Sequence, residues 1–204
     1  MIVHHFTTPI TTPFARKSTQ IYGDLRRLWE KAKIKESAKK PEITGLCRLI
    51  KGYKIMIKVL FVCHGNICRS PMAEYVMKDL VSKAGRADEF FIASAATSRE
   101  ELGNGVYPPA RQKLAEHGIP CAGHAARQIT PKDYVNFDLL IGMDEENIRN
   151  MRHVFSGDPE GKISLLLDHA GRGGNVADPW YTGDFEATWR DVNDGCRALL
   201  CELS

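Results

Sequence analysis

From residue 57 onward, the sequence alternates between short apolar runs typical of buried strands and longer segments typical of helices. A strand that is followed by a helix and then by another strand favours parallel pairing, because the helix carries the chain back across the sheet. The pattern therefore predicts an α/β fold with helices on a parallel sheet and ligands bound beyond the carboxyl ends of the strands. The predicted strands cover residues 57–62, 90–96, 138–143 and 162–168, and the predicted helices cover residues 71–85, 109–118, 144–155 and 183–203.

Local signals mark the ends of these helices. Pro71 opens the first helix and Gly85 follows it, which suits the fixed φ of proline and the freedom of glycine at a helix end. Asp144 is the predicted N-cap of the third helix. The last helix has one apolar face, which comprises Phe185, Trp189, Val192, Cys196, Leu199 and Leu200.

Residues 1–55 differ from the rest of the chain in charge. They hold 12 Lys and Arg against 4 Asp and Glu, a net charge of +8, whereas the remainder holds 16 against 21, a net charge of −5. We expect residues 1–55 to be a basic, poorly ordered extension or the product of a start codon assigned too early, with residues 56–204 as the folded domain. The alternative is a segment that docks on a partner or a membrane surface through a short amphipathic helix at residues 21–32.

The overall composition is that of an ordinary globular chain. Hydrophobic residues make up 43% and charged residues 26% of the sequence. No apolar run reaches the ~18 residues of a membrane span, and the first residues lack the pattern of a secretory signal. The six cysteines show no disulfide-rich spacing, so we expect reduced thiols and a cytoplasmic location.

The stretch VCHGNICRSP at residues 62–71 places two cysteines and a histidine directly after the first predicted strand. Metal binding is one interpretation, because Cys63, His64 and Cys68 are all possible zinc ligands. A structural zinc site needs four ligands, however, and the cysteines outside this stretch stand alone. Arg69 would also place a positive charge beside the cation, so we predict no metal here.

The same stretch suits a phosphate group better. A loop between a strand and a helix presents consecutive backbone N–H groups, and the positive end of the helix points at the same position. Arg69, six residues after Cys63, can donate two parallel hydrogen bonds to a phosphate. These positive surroundings also favour the thiolate form of Cys63, which is the nucleophile that attacks phosphorus. The loop is therefore predicted to supply both the nucleophile and the anion site.

The sequence also carries a family resemblance. The stretch resembles the C-x5-R-S phosphate loop of the low molecular weight protein tyrosine phosphatases, and the similarity continues in order over residues 56–204. Further matching stretches are SAATS, ARQKLAEHGI, HAARQIT, DLLIGMDEENI and DPWYTGDFEATWRDVNDGCRALL. The resemblance implies a four-stranded parallel sheet with the phosphate-binding loop after the first strand. It also implies a bacterial-type enzyme that hydrolyses phosphotyrosine in proteins through a phosphocysteine, without a metal or another cofactor.

The resemblance assigns a further catalytic role to Asp178, in the sequence ADPWYTGD. A tyrosine oxygen leaves more easily when a positioned acid protonates it, because the pKa of a free phenol is near ~10. The same carboxylate would then activate water against the phosphocysteine. An Asp-Pro turn without any catalytic role is the ordinary alternative.

The resemblance also implies supporting roles for neighbouring residues. Asn66 would hold the strained loop backbone, Ser70 would donate a hydrogen bond to the thiolate, and His124 would brace Asn66. Cys68 would trap an oxidised Cys63 as a disulfide, although a small buried filler is the alternative. The implied phosphate-binding residues are His64, Gly65, Asn66, Ile67, Cys68 and Arg69.

Two walls are implied for a slot that accepts an aromatic ring. Trp180 and Tyr181 would form one wall. Glu100, in the loop after the second strand, lies near the position of the other wall, where eukaryotic relatives usually carry Trp or Tyr. Ile67 occupies a position where a related branch of arginine phosphatases carries Thr. A bulky Ile favours the tyrosine substrate, and a protein arginine phosphatase is the alternative within this fold.

Three other functions share parts of the pattern. An arsenate reductase of this fold needs further cysteines to pass a disulfide outward, and residues 122–195 contain none. A phosphocarrier domain would work without Arg69 and Asp178, and a phosphate-binding module without turnover would be expected to lose Cys63 or Asp178. We expect phosphate and vanadate to compete with a phosphoprotein substrate, and we expect no nucleic-acid partner.

Overall fold

The computed structural model describes residues 56–204, and the predicted extension at residues 1–55 lies outside the described residues. Its strands are β1 (Ile57–Cys63), β2 (Phe90–Ala96), β3 (Leu139–Gly142) and β4 (Ile163–Leu165). They form one parallel sheet in the order β2–β1–β3–β4. The predicted α/β fold with a four-stranded parallel sheet is confirmed.

Helices connect and flank these strands. Within the described residues they are α1 (Arg69–Lys83), α2 (Pro108–Glu116), α3 (Pro131–Asn136), α4 (Glu145–Val154), α5 (Leu166–His169), α6 (Pro179–Thr182) and α7 (Phe185–Glu202), and a turn of 3-10 helix covers Ala87–Glu89. In the same part of the chain, no helix combines the length and the apolar character needed to cross a bilayer.

The central strand β1 is buried on both faces, which explains its continuous apolar run. Val59 and Phe61 pack with residues of α1 and α7 on one face of the sheet. Leu60 and Val62 pack with residues of α3 and α4 on the other face. Successive side chains of a strand point to opposite faces, so one strand joins the two halves of the core.

The strand order places the loop after β1 at a crevice. The chain leaves β1 for β2 on one side and later returns to β3 on the other side, so β1 and β3 are neighbours whose following loops diverge. Ligands of open α/β sheets bind at such a point. Cys63 ends β1, and Asp144 follows the end of β3 by two residues, which brings both to this edge.

Most predicted boundaries differ from the structure by one or two residues, and the short helices α3 and α6 were not predicted. Two of the differences have a clear physical reason. Helix α1 begins at Arg69, two residues before the predicted start, and Pro71 is tolerated because the first N–H groups of a helix have no partner within it. The predicted fourth strand ends at Leu165, and the run continues as helix α5. A short apolar run does not distinguish a strand from a buried helical turn. Here Leu166 packs against α7, where a Cβ added at Gly195 would lie 2.5 Å from its Cγ atom.

Candidate active site

The phosphate loop (residues 63–69) curls around the sulfur of Cys63. The backbone N–H of Asn66 donates to Sγ at 3.2 Å. The hydroxyl of Ser70, in the first turn of α1, lies 3.1 Å from the same sulfur. Cys63 is 3% exposed, so these contacts take the place of water. Hydrogen-bond donors at a helix N-terminus stabilise the negative charge of a thiolate.

Asn66 is the residue that shapes the loop. Its φ of 58° is left-handed, a conformation that Asn adopts at lower cost than most residues. The side-chain nitrogen donates to Ser70 Oγ at 2.9 Å and to Ser94 Oγ at 2.8 Å, and Oδ1 accepts from the backbone N–H of Arg127 at 3.2 Å. His124 Nε2 lies 2.8 Å from the backbone oxygen of Asn66. The structure therefore brings the predicted Asn66, Ser70 and His124 together behind the sulfur.

A buried carboxylate sets the direction of these hydrogen bonds. Ser94 donates to Glu74 Oε2 at 2.5 Å, and Lys78 pairs with the other oxygen of this carboxylate. The Ser94 oxygen then accepts from Asn66, and the second N–H of the Asn66 amide goes to Ser70. The proton of Ser70 is therefore available to the sulfur of Cys63 or to the carbonyl of Ala95, which is 3.4 Å away.

Arg69 lies between two carboxylates. Nη1 pairs with Asp144 at 2.6 Å and Nη2 pairs with Asp178 at 2.5 Å. Burial alone would lower the pKa of Arg69, but the charges of Cys63, Asp178 and Asp144 outweigh it and raise the pKa above its usual value. Arg69 is 4% exposed and remains a guanidinium that faces the same pocket as Cys63.

Asp178 belongs to a second segment, the acid loop (residues 177–184). Asp178 caps the short helix α6 by accepting from the N–H of Trp180 at 3.0 Å. Helix α7 holds the preceding residue at both backbone groups, because Thr188 Oγ1 donates to the carbonyl of Ala177 at 2.8 Å and Asp191 accepts from its N–H at 3.0 Å. These contacts position the carboxylate of Asp178 at Arg69.

One pocket of about 150 Å³ joins the two loops. All but three of the predicted site residues line it. Its lining comprises Cys63, His64, Gly65, Ile67, Cys68, Arg69, Glu100, Glu101, Asp178, Trp180 and Tyr181. Asn66, Ser70 and His124 lie behind it, around the buried Asn66 side chain. The predicted residues therefore come together at one place.

Tyr107 packs against Trp180 of the aromatic wall. Its ring centroid lies 5.5 Å from that of Trp180 and 6.2 Å from that of Phe185. The N–H of Tyr107 also donates to the carbonyl of Ile67 at 2.9 Å. One residue therefore contacts the phosphate loop, the acid loop and the start of α7.

Cys68 differs from Cys63 in its surroundings. Burial raises the pKa of the Cys68 thiol to about 12, and the charges of Cys63 and Asp178 add to this effect against that of Arg69. Cys68 is therefore a neutral thiol at physiological pH. Its predicted role as a redox trap stays a prediction.

Several residues that line the pocket or support its predicted residues were not predicted as part of the site, and they lie outside β1 and its loop. They include Glu74, Ser94, Glu101, Tyr107, Arg127 and Asp144. Asp144 was predicted only as an N-cap, and it does accept from the N–H of Asn147 at 2.7 Å while its other oxygen binds Arg69. Its position after a strand adjacent to β1 is the signal that would have placed it here.

Comparison with known proteins agrees with this arrangement. The family model described as low molecular weight phosphotyrosine protein phosphatase matches residues 58–204. The low molecular weight protein-tyrosine-phosphatase YfkJ of Bacillus subtilis is 39% identical over 150 residues, which cover 72% of this chain and 96% of that protein. The human low molecular weight phosphotyrosine protein phosphatase is 39% identical over 147 residues, with 70% and 92% covered.

Solved structures show the same likeness. The crystal structure of YfkJ superposes with a TM-score of 0.71 at 39% identity and covers 74% of this chain and 97% of its own. The crystal structure of an arginine phosphatase from Drosophila superposes with a TM-score of 0.67 at 31% identity, with 72% and 98% covered. The shared fold therefore includes proteins named for two different phosphorylated residues.

Proposed function

The chain belongs to the low molecular weight phosphotyrosine protein phosphatase family, and from this membership we infer that it is a protein tyrosine phosphatase that works through a phosphocysteine on Cys63. The observation that carries the mechanism is the position of the Cys63 sulfur. It lies at the start of α1, receives an N–H from its own loop, faces the Ser70 hydroxyl from the first turn of α1, and shares a pocket with Arg69 and Asp178. This combination of nucleophile, anion site and acid suits the transfer of a phosphoryl group.

In the first step, the sulfur of Cys63 attacks phosphorus as the bond between phosphorus and the tyrosine oxygen breaks. The loop N–H groups and Arg69 hold the phosphoryl oxygens, on which negative charge is concentrated. Asp178, in its protonated form, gives its proton to the departing oxygen. The products of this step are tyrosine and the phosphocysteine.

In the second step, water attacks phosphorus and the sulfur–phosphorus bond breaks. Asp178, now a carboxylate, takes the proton from the water, and inorganic phosphate leaves. Ser70 lies where its O–H can donate to the departing sulfur of Cys63. The Asn66 amide keeps that hydroxyl oriented, because it supplies a donor to the Ser70 oxygen.

Arg69 has to exchange one partner during this cycle. Its Nη2 atom pairs with Asp178, whereas Nη1 pairs with the more buried Asp144. A phosphoryl oxygen would replace Asp178 at Nη2, which frees the acid for the leaving oxygen. Asp144 would keep the guanidinium in place throughout, so binding and acid release are coupled.

The proposal is tested by turnover of p-nitrophenyl phosphate and of a phosphotyrosyl peptide in the presence of EDTA. We expect Cys63→Ser to abolish activity, Asp178→Ala to reduce it greatly, and EDTA to have no effect. Cys201→Ser, which changes an exposed cysteine of α7, is the matched control and should retain full activity. Undiminished turnover in the Cys63→Ser protein would overturn the proposal.

A protein arginine phosphatase is the second candidate, because the Drosophila arginine phosphatase shares the fold. Ile67 argues for tyrosine, since it lines the pocket with a bulky side chain at the position where Thr was expected for arginine phosphatases. A phosphotyrosyl peptide and a phosphoarginyl peptide should be compared with the wild type and with Ile67→Thr. Faster hydrolysis of the phosphoarginyl peptide by the wild type would favour the second candidate.

We further propose that the protein acts in the cytoplasm on phosphoproteins, and that phosphate and vanadate compete for the phosphate loop. An oxyanion bound by backbone N–H groups and a guanidinium resembles the transferred group, which supports this expectation. Inhibition by vanadate should be competitive with p-nitrophenyl phosphate. Arg69→Ala, which removes the guanidinium, should weaken the binding of vanadate, measured directly by calorimetry.

A further inference from the structure

The rim of the pocket opposite the aromatic wall is acidic. Glu100 and Glu101 lie in the segment after β2, and that segment runs beside the phosphate loop. The N–H of Thr97 donates to the carbonyl of Cys63 at 2.8 Å, and the N–H of Ser98 donates to the carbonyl of His64 at 3.0 Å. These backbone hydrogen bonds position the segment that carries the two carboxylates beside the phosphate loop.

The two carboxylates face the pocket at different depths. Glu101 covers Gly65, where an added Cβ would lie 3.2 Å from its Cγ atom, and its charge is one of those that raise the pKa of Cys68. Asn104 donates to Glu101 Oε2 at 2.7 Å and holds the side chain there. Glu100 is farther out, with 72% of its side chain exposed, and its Oε2 lies 3.1 Å from His64 Nε2.

The positive charge of the pocket does not balance this rim. Among the described residues that line the pocket, Arg69 is the one Lys or Arg, and it is already paired with Asp144 and Asp178. Short-range hydrogen bonds from the loop N–H groups hold the phosphate group of a substrate. The residues that flank the phosphorylated residue in the substrate instead lie near Glu100 and Glu101. Acidic neighbours are repelled there and basic neighbours are attracted.

We infer that Glu100 and Glu101 make the enzyme prefer phosphotyrosyl segments with Lys or Arg next to the phosphotyrosine over segments with Asp or Glu there. The inference rests on the proposed function, since it concerns the substrate of the same site. Trp180, 58% exposed, and Tyr181, 86% exposed, form the facing wall. Aromatic faces also attract guanidinium and ammonium groups, so both walls favour a basic neighbour.

The test compares two peptides with the same phosphotyrosine core, one flanked by Lys and the other by Glu. In low salt the wild type should show a kcat/KM ratio of about tenfold in favour of the Lys peptide, as a few partly screened ion pairs at a surface would give. The combined change Glu100→Gln and Glu101→Gln should bring the ratio down to about two. Because each ratio is taken on one protein, a change in overall activity cancels.

Glu89→Gln is the matched control. Glu89 lies just before β2, at the sheet edge opposite the pocket, so this change removes one negative charge far from the site. It should leave the ratio at the wild-type value. Raising the salt concentration to ~0.5 M should lower the wild-type ratio, because exposed charges are then screened.

The inference is overturned if the wild type favours the Glu peptide, or if the ratio is the same in the doubly changed protein. It is also overturned if Glu89→Gln, which removes one charge instead of two, lowers the ratio by half as much or more, since the effect would then come from net charge. A failure of the proposed function would give a different result, because hydrolysis of either peptide would then not depend on Cys63.

Discussion

The phosphate loop and the acid loop meet at one pocket but are held in different ways. In the phosphate loop, Cys63, Asn66 and Arg69 are at most 4% exposed. The side chains of Ser94 and His124 and the backbone N–H of Arg127 bind this loop. In the acid loop, Trp180 and Tyr181 are largely exposed. Helix α7 holds this loop through the two backbone groups of Ala177.

The difference fits the task of each loop. A nucleophile and an anion site work best when their dipoles are fixed before the substrate arrives, and burial with a complete hydrogen-bond network provides this. In the proposed mechanism Asp178 serves as the acid and base of two steps, so it has to leave Arg69 and approach an oxygen of the substrate. Asp178 is therefore attached through its neighbours, while its own carboxylate contacts Arg69 and the N–H of Trp180.

The largest effect is expected from Arg69→Lys. An ammonium group cannot keep its bond to Asp144 and also donate two parallel bonds to a phosphoryl group, so kcat/KM for p-nitrophenyl phosphate should fall about 10³-fold. Arg149→Lys, an exposed position of α4, is the control and should have no effect. A loss of less than tenfold for Arg69→Lys would mean that charge alone, without the planar geometry, is enough.

The next largest effect is expected at Asn66, where two substitutions separate the contribution of its left-handed backbone from that of its side-chain hydrogen bonds. Asn66→Ala should lower kcat/KM about 10²-fold, because the loop N–H groups move away from the positions that fit a phosphoryl group. Asn66→Gly should lose the same side-chain bonds but keep the left-handed φ, so its free energy of unfolding should stay above that of the Ala variant by about 1–2 kcal/mol.

Chemical denaturation of the two Asn66 variants gives this difference directly. Equal unfolding free energies for the Ala and Gly variants would show that backbone strain at this position has no energetic consequence. The hydrogen bonds to Ser70, Ser94 and Arg127 would then account for the role of Asn66 alone.

A smaller effect is expected in the acid loop from Thr188→Val, which removes the hydroxyl that binds the carbonyl of Ala177. Loss of this buried bond should cost about 1 kcal/mol of stability and misplace Asp178. The kcat should fall about tenfold for a phosphotyrosyl peptide and less for p-nitrophenyl phosphate, whose leaving group needs less help from an acid. Thr188→Ser keeps the hydroxyl and should restore the wild-type values. Equal losses on both substrates would mean that Thr188 does not act through the acid.

The smallest effect concerns Cys68. In the Cys63→Ser protein at pH 8, iodoacetamide should label the exposed Cys201 and leave Cys68 unlabelled. The thiolate is the reactive form, and burial, the largest cause of the raised pKa of Cys68, remains when the charge of Cys63 is removed, so Cys68 should stay a neutral thiol at that pH. Labelling of Cys68 as fast as Cys201, measured by peptide mass analysis, would contradict the buried and negative surroundings described for it.

The same surroundings bear on the predicted redox role of Cys68. The charge of Cys63 is the second of the causes that raise the pKa of Cys68, after burial. Oxidation of Cys63 to a neutral sulfenic acid removes that charge. A disulfide between the two residues therefore becomes easier to form once Cys63 has been oxidised, which is the order that a protective trap requires.

The sequence allowed the phosphate loop to be predicted well, because its parts are continuous in the chain. A strand, five loop residues and a helix place Cys63 and Arg69 without knowledge of the rest of the fold. Asp178 was found only through the family resemblance, since an Asp before a Pro is common in turns. The distance along the chain between Cys63 and Asp178 carries no information about their distance in space.

The supporting residues were missed because each has an ordinary local role. Asp144 is an N-cap, Glu74 forms an i,i+4 pair with Lys78, and Ser94 lies inside a strand. Each of them also contacts a residue of another element, which becomes its neighbour only in the folded protein. The pattern of strands along the sequence does not reveal which elements become neighbours. The segment at residues 166–169 was missed for a different reason, because a run of three Leu is compatible with both a strand and a helical turn.

The central claim is that phosphate passes through the sulfur of Cys63. The most direct test is to mix the Asp178→Ala protein with p-nitrophenyl phosphate, quench within one turnover and locate any added phosphoryl group by peptide mass analysis. The good leaving group lets the first step proceed while the second step, which needs the carboxylate, is slowed. We predict one phosphoryl group on Cys63. A phosphoryl group on His64, or turnover with no phosphorylated protein at any time, would contradict the claim.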